Sequence, residues 1–214
     1  MTALALWDAL VRTPPRYFPH GKSLSHEALA HVTPVVLAIE PSPVICEKLS
    51  RNLVNASHAG EEKRISTLCA AASSFDGTTA LHCPGKETST IGWKMQNDAS
   101  CAPDVDVPVV ALDNLKDLNT MQDITILKVD AEGSDFDVLK GAYNMLRVRR
   151  VRFIIFEFSA GAWQMQARQS YGKEQTTTEL MIQVTSFLQS QGGFTCFFMM
   201  PEALVPVSGS WMSE

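Results

Sequence analysis

Two hydrophobic periods take turns along the chain. Val35-Val36-Leu37-Ala38-Ile39 is a continuous apolar run of strand length, closed by Glu40. Ser42-Pro43 then offers an N-cap and a proline at the first helical position. Ile45, Leu49 and Leu53 recur every fourth residue, which predicts an amphipathic helix over residues 43–55. Ile65 to Ala72 reads as a second strand, Asp76-Gly77 as a turn, and residues 83–104 as an irregular insertion rich in turn formers. Val105, Val107, Val109 and Ala111 alternate as on a half-exposed strand, and Pro108 argues for an edge position. The run Ile124–Asp130 is a buried strand, followed by a helix with Phe136, Leu139, Tyr143 and Leu146 on one face. Phe153–Phe158 is the next strand. A helix over residues 178–191 opens with the capping box Thr176-x-x-Glu179 and ends at Gly192-Gly193, and Phe194–Met200 completes the set.

Continuous apolar strands flanked by helices predict an α/β fold with a doubly wound, mostly parallel sheet. In that class ligands lie beyond the carboxyl ends of the strands, so the polar residues that close each strand become the candidates. Residues 1–34 stand apart. Leu4, Trp7 and Val11 sketch a short amphipathic helix stopped by Pro14-Pro15, with Asp8 and Arg12 and no basic leader, unlike a secretion signal. The division expected is an atypical segment over 1–34 and one domain over 35–214.

Composition narrows the classes. The 214 residues are 45% hydrophobic and 19% charged, enough apolar matter for one core. With 18 Lys and Arg against 23 Asp and Glu, the net charge of −5 excludes nucleic-acid binding by bulk charge. No run approaches the roughly 20 apolar residues of a membrane span. The five cysteines (Cys46, Cys69, Cys83, Cys101, Cys196) are odd in number and lack paired spacing. They suggest neither a disulfide framework nor a zinc cluster, and favour a reducing, intracellular, cytoplasmic setting for a soluble protein.

Glu40 sits where a strand-end carboxylate can accept both hydroxyls of a ribose diol, although acids are also common where strands meet solvent. Lys128-Val129-Asp130-Ala131-Glu132-Gly133-Ser134 is the densest polar cluster. Strand alternation puts Lys128 and Asp130 on one side, Gly133 permits a tight turn, and Ser134 can cap the next helix. Carboxylates converging with an ammonium favour proton transfer, or simply form a salt bridge with a cap. Glu157 interrupts an apolar strand and needs either a crevice or a partner, with Lys128 on the adjacent strand as the natural one. His20, His26 and His31 share no metal-ligand spacing, and Asp104-x-Asp106 reads as solvated. Trp93 and Trp163 fall in expected loops, either covering a pocket or packing beside the core.

Taken together these segments resemble the FkbM family of S-adenosylmethionine-dependent methyltransferases. The matching stretches are VLAIEPSPVICEKLSRNL (36–53), CAAASSFDG (69–77), VPVVALDNL (107–115), ILKVDAEGSDFDVLKGA (126–142) and FIIFEFS (153–159). The resemblance implies a Rossmann-like sheet and methyl transfer from S-adenosylmethionine to an oxygen of a small molecule or sugar. It implies that Glu40 holds the cofactor ribose and that Ala70, Ala71 and Ala72 border the adenine. Asp130, Glu132 and Glu157 would line the transfer site, with Lys128 tuning their charge, and Asp130 would also border the cofactor. One part of the pattern is absent. Where the family has a strand and a glycine-rich turn of the form D-x-G-A-N-x-G, this chain has TPPRYFPHGKSLSHEALAHV, with Gly21 alone. The first βα unit is therefore expected to be incomplete, as in a truncated family member. The competing expectation is a catalytically inactive, methyltransferase-like module that only binds or interacts.

Overall fold

The computed structural model describes residues 35–56, 65–86, 89–91, 101–120, 123–200 and 202–207. The expectations for residues 1–34, including the three histidines and Gly21, and for Trp93 lie outside these.

Strand β1 (Val36–Ile39) leads through helix α1 (Pro43–Ala56) to β2 (Ile65–Leu68). The two strands pair in parallel from Val36 opposite Ile65 to Ile39 opposite Leu68, and the Glu40 N–H extends the ladder to the Leu68 carbonyl. The strand expected over 65–72 breaks after Leu68, and the chain re-enters a different sheet as β3 (Ala71–Ser73). Strands β4 (Gly77–His82), β5 (Thr90–Ile91) and β6 (Val105–Ala111) complete that sheet, in the order β3-β6-β4-β5. Two-residue β5 lies inside the stretch expected to be irregular.

Pro108 did not push β6 to an edge, because β6 is paired on both flanks, parallel to β3 and antiparallel to β4. The reason is local. The Ala111 N–H faces the Asp76 carboxylate on the β4 side, so by strand alternation the Pro108 nitrogen faces the other flank. There β3 pairs only with Val109 to Ala111, so the ladder asks for no donor at Pro108.

A 3₁₀ turn (Leu112–Asn114) and helix α2 (Lys116–Thr120) lead to β7 (Ile124–Val129), which pairs in parallel with β8 (Val151–Phe156). Between these strands the expected single helix is two, α3 (Asp135–Gly141) and α4 (Tyr143–Arg147). The break is fixed by Asp113, whose carboxylate accepts the N–H groups of Asn144 (2.6 Å) and Met145 (3.0 Å) and so starts a new helix. Helix α5 (Ala160–Tyr171) was not expected, and it carries Trp163 out of its expected loop into the core at 3% exposure. Buried Asp137 of α3 ties α5 down by accepting from Gln166 Nε2 and Tyr171 OH, and it also accepts from Lys140 Nζ of its own helix. Burial, then this carboxylate, pushes the Tyr171 phenol well above its usual range. Helix α6 (Thr177–Gly192) opens with the expected capping box and ends at Gly193 in the left-handed conformation. Strands β9 (Phe197–Met199) and β10 (Leu204–Pro206) form an antiparallel hairpin.

The architecture is thus mixed α/β, with two parallel strand pairs, one mixed four-stranded sheet and a hairpin. Among the described residues no strand joins β1 to β7. The main core gathers Val129, Leu139, Leu146, Trp163, Val184 and Leu188, and Leu37 and Ile39 pack against it.

The cysteines overturn an expectation. Cys46 in α1 is disulfide-bonded to Cys69 just after β2, with Cα atoms 5.6 Å apart, and Cys83 to Cys101 at 4.7 Å. Cys196 belongs to neither bridge and is buried. Sequence separations of 23 and 18 residues carry no bridge signature, since pairing depends on how the fold places the Cα atoms.

Candidate active site

The site forms where β7 and β8 end side by side. Val129 lies opposite Phe156, and the Glu157 N–H donates to the Val129 carbonyl at 3.2 Å, one step past the strand. That bond sets Asp130 and Glu157 beside each other on adjacent strands. The chain then turns sharply, with Glu132 at φ 49° and Gly133 at φ 97°, both in left-handed territory. The turn swings the Glu132 carboxylate back, so that Asp130, Glu132 and Glu157 each bring an oxygen within 4.8 Å of the others. Lys128 joins them as alternation predicts, its Nζ 2.6 Å from Asp130 Oδ2. Its ion-pair partner is therefore Asp130, not Glu157 as expected, because the two share one face of one strand.

Burial, then the neighbouring Asp130 charge and a hydrogen bond with it, raise the Glu157 pKa, while Lys128 lowers it. Glu157 thereby takes and holds a proton more readily than an isolated glutamate. The arrangement can accept a proton and keep a substrate hydroxyl oriented. The spacing of the three carboxylates would also admit a divalent cation, and Lys128 already supplies positive charge there.

Sequence reasoning missed the residue that holds this turn together. Asp135 is fully buried, and its two carboxylate oxygens accept the N–H groups of Ala131 and Gly133, each at 3.2 Å. Burial dominates over those bonds and raises its pKa to about 6. An acid two positions past a glycine turn was the available signal, and it was absorbed into the expectation of a helix cap. Ser134, expected to be that cap, makes no capping bond with its side chain. Its hydroxyl donates instead to the Ile91 carbonyl at 3.3 Å. A Cβ at Gly133 would fall 2.8 Å from the Ala162 carbonyl oxygen, so α5 lies directly against the turn.

Glu40 stands at the end of β1, held separately from these acids. One oxygen accepts the Ser42 N–H at 2.8 Å, and among the described residues the other has no partner. Burial raises its pKa, partly offset by that bond. Ala70 and Ala71 are almost wholly buried, Ala71 within the small core of the four-stranded sheet, while Ala72 is half-buried against the main core. Asp104 pairs with His82 at 3.0 Å.

A family profile described as the methyltransferase FkbM domain matches residues 22–194, and the chain belongs to that family. No curated protein and no solved structure matches the chain. Among the described residues, no helix is long and apolar enough to cross a membrane.

Proposed function

We propose that this chain is an S-adenosylmethionine-dependent O-methyltransferase acting on a hydroxyl of a small molecule or sugar, built on a Rossmann-like, doubly wound sheet. One observation carries the proposal beyond family membership. Three carboxylates and a lysine converge past two adjacent parallel strands, where a deprotonating site belongs in such a sheet. Two βαβ units with their acids at the carboxyl ends, Glu40 after β1 and Asp130 after β7, support the architecture.

The residues fit the ribose end of the cofactor. Glu40 has one oxygen fixed by Ser42 and one without a described partner, as a diol acceptor requires. Ala72 and the neighbouring Ala70 and Ala71 backbone would border the adenine. The cofactor supplies an electrophilic methyl carbon when bound. The chain's own part is to hold the acceptor hydroxyl in line and take its proton. Asp130 is the base or charged positioner, Glu157 and Glu132 share the proton, and Lys128 keeps the cluster from accumulating negative charge. Without a glycine-rich turn the cofactor's amino-acid end loses several backbone hydrogen bonds of about 1 kcal/mol each, so affinity is expected to be weak. The two disulfides support an oxidising compartment. The division into a segment over 1–34 and a catalytic domain over 35–214 belongs to the same reading.

A second reading, an inactive binding or interaction module, is favoured by two findings. Among the described residues β1 and β7 are unjoined, and the sequence before β1 lacks the glycine turn.

Titration of the intact chain with S-adenosylmethionine, followed by methyl-transfer assays on sugars and small alcohols, decides between the two. Asp130→Asn should lower turnover by about 10²–10⁴ with an unchanged melting temperature. Near-normal turnover in the folded variant removes Asp130 from the site. Absence of both binding and transfer in the disulfide-intact protein leaves the second reading.

A further inference from the structure

The β4–β5 hairpin touches both carboxylate-bearing turns. Leu81 pairs with Ile91 and His82 with Thr90. Cys83 is left-handed at φ 54° and Gly85 at φ 90°, and the Ser89 hydroxyl is 2.7 Å from the Cys83 and Lys86 carbonyls. At the tip, the Gly85 N–H donates to Ser42 Oγ at 3.1 Å. On strand β5, the Ile91 carbonyl accepts from Ser134 Oγ. Both serines are essentially inaccessible, at 0% and 1% exposure, so neither hydroxyl could exchange its partner for solvent. Ser42 follows Glu40 by two residues, and Ser134 lies between Gly133 and Asp135 in the acidic turn.

We infer that the β4–β5 hairpin is a positioning element that sets the spacing between the Glu40 turn and the Asp130–Asp135 turn, with Ser42 and Ser134 as its anchors. The inference rests on the proposed function only in supposing that both turns serve one reaction. The mechanical coupling it asserts stands on the hydrogen bonds and the Cys83–Cys101 disulfide, with no appeal to activity. A hairpin braced by its own side-chain bonds and by the Cys83–Cys101 disulfide resists deformation, so displacement of one turn is passed to the other. Loss of either hydroxyl frees one anchor, and loss of the Ser42 hydroxyl also removes the bond it accepts from the Ile45 N–H at 3.4 Å.

Hydrogen exchange on the full disulfide-bonded chain tests this without cofactor or activity. Ser134→Ala should raise exchange about fivefold or more in residues 131–135 and also in residues 40–46. Ser42→Ala should do the same in reverse, because coupling between sites is reciprocal. Exchange that rises only at the mutated turn, in either variant, overturns the inference. Should Ser134→Ala not fold, Ser42→Ala decides by itself, on whether exchange in 131–135 moves. If wild-type transfer is detected, Ser134→Ala should lower kcat about tenfold, and an unchanged kcat beside coupled exchange would contradict the positioning role. A chain that transfers no methyl group, yet shows reciprocal exchange, loses the proposed function and keeps the hairpin.

Discussion

Residues 35–111 and residues 112–207 hold their shapes by different means. In the first region the buried cluster of the four-stranded sheet is small, made of Ala71, Leu81, Val107 and Val109 among the described residues. Both disulfides lie there. In the second region the main buried cluster runs from Leu112 to Cys196, joined by a chain of aromatic contacts through Phe136, Phe156, Phe158 and Trp163. It carries no cross-link, and its one cysteine is a buried thiol. Where apolar area is scarce, covalent restriction of the unfolded chain substitutes for it. Where apolar area is plentiful, packing suffices.

Reduction gives the sharpest break of this contrast. Each disulfide closes a loop of a length for which about 3 kcal/mol is usual. Removing both, by Cys46→Ser with Cys83→Ser, should destabilise the first region by roughly 6 kcal/mol. Segment-resolved hydrogen exchange should then show residues 35–111 losing protection while α6 keeps its own. Equal loss in both regions would dissolve the distinction.

The converse substitution acts on packing. Leu146 is fully buried in the main core, so Leu146→Ala should cost about 2–5 kcal/mol in urea denaturation, with or without reductant. A strong dependence on reductant would mean that the two regions unfold as one.

Acidity probes the boundary turn. An acid whose folded pKa is about 6, above its ordinary value, stabilises the fold fully below pH 4 and loses that contribution as pH rises through 6. Comparing wild type with Asp135→Asn across pH 4 to 7 should isolate a decline of roughly 2–3 kcal/mol present only in the wild type. Parallel pH profiles would show that Asp135 is ionised without penalty. The smallest effect is at the start of α6. There Thr176→Ala removes the capping box and should cost about 1 kcal/mol, read as a modest fall in melting temperature.

What the sequence disclosed follows the same divide. Helices α1 and α6 and strands β1, β7 and β8 were legible because periodicity, proline and capping chemistry are local signals. The convergence of Asp130 with Lys128 was legible too, since alternation on one strand needs no tertiary knowledge. The disulfides were not, because Cys46 and Cys69 meet only after α1 folds back along β2. Nor was the break between α3 and α4, which depends on Asp113 arriving from a distant turn. Asp135 drew no attention beside Ser134, the expected cap, because a carboxylate at a helix start is ordinary, and only its burial and its two bonds show that it grips the preceding loop. Pro108 misled for a related reason, as the length of β3 decides whether its missing donor matters.

Gly141 closes α3 against the backbone of β3, where any side-chain carbon would overlap the Ser73 carbonyl oxygen. This is a seam between the two regions in which main chain meets main chain, with residues far apart in sequence. Contacts of such long range form late, after the loop-closure entropy has been met. The seam is thus expected to close late in folding. Each region has local structure of its own to gather first, and this bare backbone contact is one of the links that then fix the register between them. A methyl group at that point would leave most local structure in place and show itself chiefly as a faster unfolding rate.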